Sequence, residues 1–425
     1  MSNGTAKRNG SEGTETIVLR LADLSESEIS FSDTRCVILT DGEIQKYALS
    51  VGDVLFIRVN GSKENVGKSF YFDKESFPIA YCDHLIRCTP TGVLRGKLLS
   101  MFMRCGYVRQ LISERMVSAA GQNTISQPSL ATILLPVPPL KEQDRIIYRL
   151  NNADSYISQV SNSKQELTEM VLHAKAKILD LAIRGQLVPQ DPDDEPASVL
   201  LERIRAEKEE LIRQGKIKRD KKESVIFRGE DNSYYEKIGD KIENIDDEIP
   251  FELPDGWMWC RGHSCFEGME STKPQGEFFD YIDIDAIDNR LHRIKAAKHL
   301  PVSEAPSRAS RAVKTGSVLF SLVRPYLENI APVEETHSHC IASTGFYVCN
   351  SNGTLLPEFM FFLMISGYVV NGLNQYMKGD NSPSISKDNI ESWLYPVPPT
   401  AEQETICAKL KTVFTLIENV EKSLS

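Results

Sequence analysis

Leu135-Pro136-Val137-Pro138-Pro139 and Tyr395-Pro396-Val397-Pro398-Pro399 are one phrase written twice, 260 positions apart. The match runs outward in both directions. At the same shift, Glu142-Gln143 answers Glu402-Gln403, Ile146 answers Ile406, and Ile125-Ser126 answers Ile385-Ser386. Further upstream, Gly106-Tyr107-Val108 matches Gly367-Tyr368-Val369 at a shift of 261, and Gly52-x-Val54-Leu55-Phe56 matches Gly316-x-Val318-Leu319-Phe320 at 264. A drift of a few positions with the order kept is what loop insertions produce. One unit, a domain with a following helix, is therefore present twice, at a period too long for a solenoid.

The helix after each phrase has a countable pattern. Apolar positions fall at Ile146, Leu150, Ala153, Ile157, Val160, then, past the polar Lys164, at Leu167, Val171, Ala174, Ile178 and Leu181. The steps alternate four and three, which is a heptad seam and predicts a left-handed coiled coil. The second copy reads Ile406, Leu410, Val413, Ile417, Val420 and Leu424 with the same alternation. Lone amphipathic helices are marginal in water, so the two seams are expected to bury each other.

Gly185 ends the first helix, and Pro189, Pro192 and Pro196 forbid its continuation. A charged helix is expected over 197–222 and an acidic linker up to Pro254, after which Trp257 and Trp259 open a new domain. Val54 to Ile57 and Val318 to Phe320 read as strands after a Gly turn; Gly96 to Val108 and Glu358 to Val370 read as short helices. The expected class is α+β: two similar domains, 1–134 and 251–394, with helices at 135–185 and 395–425 and the charged helix and linker at 186–250.

Composition sets the outer limits. Of 425 residues, 41% are hydrophobic and 25% charged, which suits a globular chain. No apolar run approaches the roughly 20 residues that cross a bilayer, and Met1 to Gly13 is polar, so no membrane contact and a cytoplasmic location are expected. Nine scattered cysteines without a C-x-x-C pair suggest neither a disulfide framework nor a zinc ribbon. The net charge of −10 speaks mildly against nucleic acid, but sign is segregated. Residues 230–255 are acidic, whereas 87–115 and 287–326 are strongly basic, which fits local phosphate contact.

Motifs that resemble active sites fail on inspection. Gly61 to Ser69 carries Gly67-Lys68-Ser69, but five residues separate its glycines where a phosphate loop has four. The following Phe70-Tyr71-Phe72 reads as a strand, which denies a phosphate the N–H groups of a helix start. Asp193 and Asp220-Lys221 have the loose spacing of a metal nuclease but lie in a Pro-rich loop and a charge run. His263-x-Cys265 and His337-x-His339-Cys340 lack a second ligand pair.

Three stretches carry a family resemblance: Leu134 to Ile146 with its copy at Trp393 to Ile406, Gly185 to Ser198, and Ile249-Pro-Phe-Glu-Leu-Pro-Asp-Gly-Trp257. Together they resemble the specificity subunits of Type I restriction–modification systems. The resemblance implies two target-recognition domains held apart by an antiparallel coiled coil, each reading half of a bipartite double-stranded DNA target. At about 1.5 Å per residue, Ile146 to Leu181 would span about 54 Å, and the second helix would overlap about 37 Å of it. The resemblance also implies no catalysis in this chain. Two methyltransferase (modification) subunits would supply S-adenosylmethionine, and a translocase–endonuclease (restriction) partner would supply ATP and Mg chemistry. The competing readings are a coiled-coil adaptor that ignores DNA, a metal-dependent nuclease, and the recognition part of a fused methyltransferase–nuclease system.

Base-reading candidates follow from side-chain chemistry. Arg and Lys suit guanine edges and phosphates, Asn and Gln suit adenine. Polar loops before the Pro-Pro phrase, a feature of the family, nominate Gln122, Asn123, Lys378, Asn381 and Ser384. The loops after the shared strand add Arg58, Asn60, Lys63 and Lys68 in the first copy, and Arg324 and Tyr326 in the second. Arg308 and Arg311 are expected on phosphates. The first domain is also short at its front, with no counterpart of Trp257-x-Trp259.

Overall fold

A computed structural model describes residues 1–25, 28–74, 78–217, 219 and 222–424. Two compact units emerge, Met1–Asn162 and Ser163–Ser425, and the division falls inside one continuous helix, Leu140–Ile183. None of the described helices is long and apolar enough to cross a membrane.

Unit 1 is built around the strand Val54–Ile57. Alternate residues of a strand face opposite ways. Leu55 and Ile57 enter one apolar cluster with Leu19, Phe70 and Tyr81, while Val54 and Phe56 enter another with Met103 and Ile112. Both faces are covered, so all four side chains are buried and the strand reads as a continuous apolar run. Its antiparallel neighbours are Ser69–Tyr71 and Leu85–Cys88, and Ser2–Asn3 lies at the edge. A second sheet joins Cys36–Leu39, Thr14–Leu19 and Ile79–Tyr81, the last pair parallel. A third joins Val117–Ala119, Gln122–Thr124 and Val59–Asn60.

Unit 2 repeats this plan. Val318–Ser321 is again central, with Val318 and Phe320 in one cluster and Leu319 in another. Ile330–Pro332 and Phe346–Cys349 flank it. The four-stranded sheet beside it runs Lys298–Pro301, Phe278–Ile282, Ile341–Ser343, Ala309–Ala312. Each single helix expected near the shared Gly-Tyr-Val is a pair: Gly96–Phe102 with Gly106–Arg115, and Pro357–Met364 with Gly367–Asn374. In the second pair Ser366 accepts a hydrogen bond from the Val369 N–H, and that cap restarts the helix.

The Glu-Gln of the repeated phrase explains itself here. Gln143 and Gln403 are both fully buried in the first turn of their helices. Gln143 Oε1 accepts from the Arg95 N–H (2.8 Å), and its Nε2 donates to the carbonyls of Val93 and Pro138 (both 2.8 Å). Gln403 Oε1 accepts from the Leu356 N–H (2.7 Å), and its Nε2 donates to Thr354 and Pro398 (both 3.1 Å). Arg95 and Leu356 are the N-cap residues of matching helices. The glutamine thus ties each long helix to its own domain by one identical clamp.

Two expectations are corrected. The stretch read as an acidic linker holds a three-stranded sheet, Val225–Arg228, Tyr234–Ile238 and Lys241–Asn244. Two acids of this stretch are counter-charges: Arg261 donates to Glu236 (2.9 Å) and Glu248 (2.7 Å). Burial by itself would raise the Glu236 carboxyl, but the Arg261 hydrogen bonds outweigh it and hold it below its ordinary value. The charged helix is shorter than expected, Ala197–Arg213.

The second correction concerns the seams. Within unit 2 the second long helix, Thr400–Leu424, runs antiparallel to the end of the first: Lys175 pairs with Glu421 (2.7 Å), and Gln190 reaches Glu402 (3.1 Å). Leu179, Ala182 and Ile183 share a core with Ile406 and Leu410; Ile178 packs against it, and Leu181, Val413 and Ile417 are half-buried. Val171 is buried, but Ile146 is only half-buried, and Leu150, Ile157, Leu167 and Val420 are exposed. The overlap is short because the first two turns of the second helix are spent inside its own domain. The first helix also stops at Gly185, whose φ of +66° turns the chain and whose Gln186 N–H closes back on Leu181 (2.8 Å).

Candidate nucleic-acid interface

In unit 1 the nominated residues gather on one small sheet and its loop. Ala120 and Gly121 both have positive φ and form a two-residue turn between paired Ala119 and Gln122. That turn presents Gln122, which is exposed. Next to it Asn60 pairs with Asn123 across the sheet, and Lys63 is exposed on the 61–65 loop. Asn60 Oδ1 accepts from the Ser62 N–H (2.9 Å), which curls that loop.

Two nominations, Asn123 and Arg58, are engaged within the unit, and a third, Lys68, is half-buried. Asn123 is buried: its Nδ2 donates to the Gly61 carbonyl (2.8 Å), and its Oδ1 accepts from Ser118 Oγ (2.5 Å). It holds the loop to the hairpin and has nothing left to offer a base. Arg58 is half-buried and donates to the Asp83 carbonyl (3.1 Å). Lys68 is half-buried at the edge of the strand Ser69–Tyr71, with no helix after it. Asn123→Ala is expected to cost unit 1 about 2 kcal/mol, one lost buried amide with two partners. The check is a urea midpoint together with faster amide exchange across Val117–Thr124; an unchanged hairpin would refute the structural role.

Much of the basic run 87–115 is likewise used internally. Arg87 donates to Ala48, Arg109 to Glu64 and Arg115 to Leu111, and Arg95 pairs with Asp144. Burial lowers the Arg109 guanidinium below its ordinary value.

In unit 2 the cluster is tighter. Lys378 and Ser384 exchange two backbone hydrogen bonds (both 3.0 Å) around the loop that carries Asn381. The Arg324 N–H donates to Pro383 (2.7 Å), and its guanidinium donates to the Asn381 carbonyl (3.1 Å). Arg324 and Glu328 both sit in the left-handed region (φ +48° and +53°) on either side of the turn Pro325–Leu327. Two such residues around one turn are backbone strain of the kind that collects at functional sites. Arg324, Tyr326, Lys378 and Asn381 are exposed, and Ser384 is half-buried. Arg308 is exposed, and its carbonyl accepts from Thr344; the next residue, Gly345, accepts from Leu322. Arg311 is half-buried on Ala309–Ala312, with its Nε buried and unpartnered among the described residues.

The hairpin 287–294 escaped nomination. Asn289 donates to the Leu327 carbonyl (2.7 Å), which places exposed Asn289, Arg290 and Arg293 beside Tyr326. Asp288 accepts from the N–H groups of Leu291 and Arg290, and these bonds hold its carboxyl below the ordinary range. The basic run 287–326 is the signal in the sequence, but a hydrogen bond between residues 38 positions apart is not readable from it.

The motifs set aside behave as follows. Asp193 is exposed in a bend, while Asp220 and Lys221 lie outside the described residues. His339 and His299 both reach Asp280 (2.8 and 2.9 Å), and His263 lies 3.8 Å from Glu391. Among the described residues Cys82, Asp83 and His84 bring metal-binding atoms together, with Asp83 already paired with Arg8 (3.1 Å).

Residues 8–169 match the family model of the Type I restriction modification DNA specificity domain. The chain is 26% identical over 377 residues to the Escherichia coli Type I restriction enzyme EcoAI specificity subunit, covering 77% of this chain and 61% of that one. It is 32% identical over 215 residues to the Salmonella potsdam StySPI specificity subunit, covering 48% and 46%. Along these stretches the chain is similar to Type I restriction enzyme specificity subunits. A solved HsdS subunit from Thermoanaerobacter tengcongensis is 35% identical over 41% of this chain and 46% of that one, with a TM-score of 0.39. The chain spans less than two thirds of the length of each of these relatives.

Proposed function

We propose that this chain reads a bipartite double-stranded DNA target for a Type I restriction–modification complex, one half-site per unit, and performs no chemistry itself. The observation that carries the reading is the duplicated plan. Both units hang on the same buried Gln clamp, and both end in a loop cluster of amide and cationic side chains at equivalent positions. Amides and guanidinium groups held on a strand-backed loop suit base edges in the major groove. Unit 1 would offer Asn60, Lys63 and Gln122; unit 2 would offer Arg324, Tyr326, Lys378 and Asn381, with Ser384, Arg308 and the 287–294 hairpin beside them. Two methyltransferase subunits would bring S-adenosylmethionine, and a translocase–endonuclease would bring ATP and Mg. The domain limits 1–134 and 251–394 are proposed as the two recognition modules, and the cytoplasm as their location.

Long-read methylation mapping tests this directly. The partner methyltransferase is expressed with and without the chain. A split motif with a fixed spacer that appears only with the chain is the expected result. No difference between the two genomes would refute the reading in favour of an adaptor that ignores DNA.

A further inference from the structure

In unit 2 the turn that carries Arg324 and Tyr326 ends on Glu328. Glu328 has a φ of +53°, a backbone conformation that glycine or asparagine adopts more readily. Its N–H donates to the Pro325 carbonyl (2.9 Å), and its own carbonyl accepts from the Ile330 N–H (2.7 Å). The Asn289 amide fixes the preceding carbonyl, that of Leu327 (2.7 Å). The backbone at this position is therefore tied on both sides, and the side chain is half-buried.

The Glu328 carboxylate is the unexplained group of this surface. Among the described residues it has no hydrogen-bond or ion-pair partner, although Arg324, Lys378, Arg290 and Arg293 are exposed in the same loop cluster. Burial pushes it above the ordinary carboxylate value, and no cation pulls it back. The two other acids of the cluster are accounted for. Asp288 accepts from the Arg290 and Leu291 N–H groups (3.1 and 3.2 Å), and Asp380 is exposed to water. An unpaired carboxylate on a surface that meets phosphates weakens binding to DNA in general, unless it finds a donor there.

We propose that Glu328 is a specificity residue of unit 2 whose carboxylate accepts a hydrogen bond from the N4 amino group of a cytosine in the major groove. This inference rests on the reading that the loop cluster meets DNA. A carboxylate selects among base edges largely by exclusion. Cytosine offers an amino donor. Guanine offers the acceptors N7 and O6, thymine offers the acceptor O4, and adenine sets its N7 acceptor beside its amino group. Each of these three turns an acceptor towards the carboxylate, so the discrimination comes from the penalty as well as from the bond. Arg324, at the other end of the turn, has the complementary chemistry and suits guanine.

The probe is a duplex DNA library with randomised positions, equilibrated with the full chain, after which bound and unbound fractions are sequenced. The wild-type chain is expected to require cytosine at one position of its motif. Glu328→Gln should lose that preference by at least about tenfold and favour adenine there, because an amide matches N6 and N7. The other positions should stay as they are. Glu328→Gly suits the positive φ, so it should melt close to the wild type and read no base at that position. A wild-type motif that both variants leave unchanged would remove Glu328 from base reading while the DNA reading stands. Losses spread over every position would reduce Glu328 to a support of the turn and overturn the proposal. A wild-type chain that selects no motif would remove the DNA reading itself, and this inference with it.

Discussion

Gln403→Ala is expected to destabilise unit 2 by about 4 kcal/mol, a large fraction of the 5–15 kcal/mol typical of a whole domain. The side chain is fully buried and serves three backbone groups: the Leu356 N–H and the Thr354 and Pro398 carbonyls. Alanine leaves one donor and two acceptors without their partner in a dry site, at about 1–3 kcal/mol each where water cannot replace it, and adds a cavity. Gln403→Glu keeps the volume but supplies no Nε2–H for the two carbonyls, so it should not rescue. The measurement is the urea midpoint and slope of the unit 2 transition. Gln143→Ala should act on unit 1 in the same way, since its three bonds are the same. A loss under about 1 kcal/mol in both would mean that the clamp is incidental and that apolar packing alone sets the helix on its domain.

Arg324→Ala is expected to reduce affinity for the cognate target by about ten- to a hundredfold, the 1–3 kcal/mol of one good bidentate base contact. Its guanidinium donates to the Asn381 carbonyl, and the side chain is exposed. The strained turn behind it holds its direction. The loss should concentrate on one half-site: methylation motifs written by the complex should relax at positions in that half and stay strict in the other. Titration at several salt concentrations separates the alternatives. A loss that is equal for all sequences and lowers the salt slope by about one would reduce Arg324 to a phosphate contact. No loss would remove it from the interface. Lys378→Ala, on the flanking bridge to Ser384, should show the weaker and less sequence-dependent effect.

The comparison of residues with their final surroundings divides along a physical line. Gln122 looks like Asn123 in sequence, yet only Asn123 turns inward, because adjacent residues of the strand Gln122–Thr124 put their side chains on opposite faces. Arg311 and Arg308 lie three positions apart in one basic run, but only the first, on the strand Ala309–Ala312, is half-buried. Glu236 and Glu248 read as parts of a solvated linker because their partner, Arg261, lies on a strand that no local pattern announces.

By itself the sequence determined that the chain is one domain-plus-helix unit written twice. It also determined where the helices run and which of their faces are apolar. These properties are local or periodic: the heptad step, the Gly185 stop, the Pro-Pro entry and the alternating strand are set by residues within a few positions of one another. The tertiary structure decided what each repeated residue meets. Pro396-Val397 lies in a buried strand while Pro136-Val137 is exposed, and the same heptad seam is buried at Val171 and open at Ile157. Burial of a strand or a seam depends on a partner more than a hundred positions away, which identical local sequence does not record.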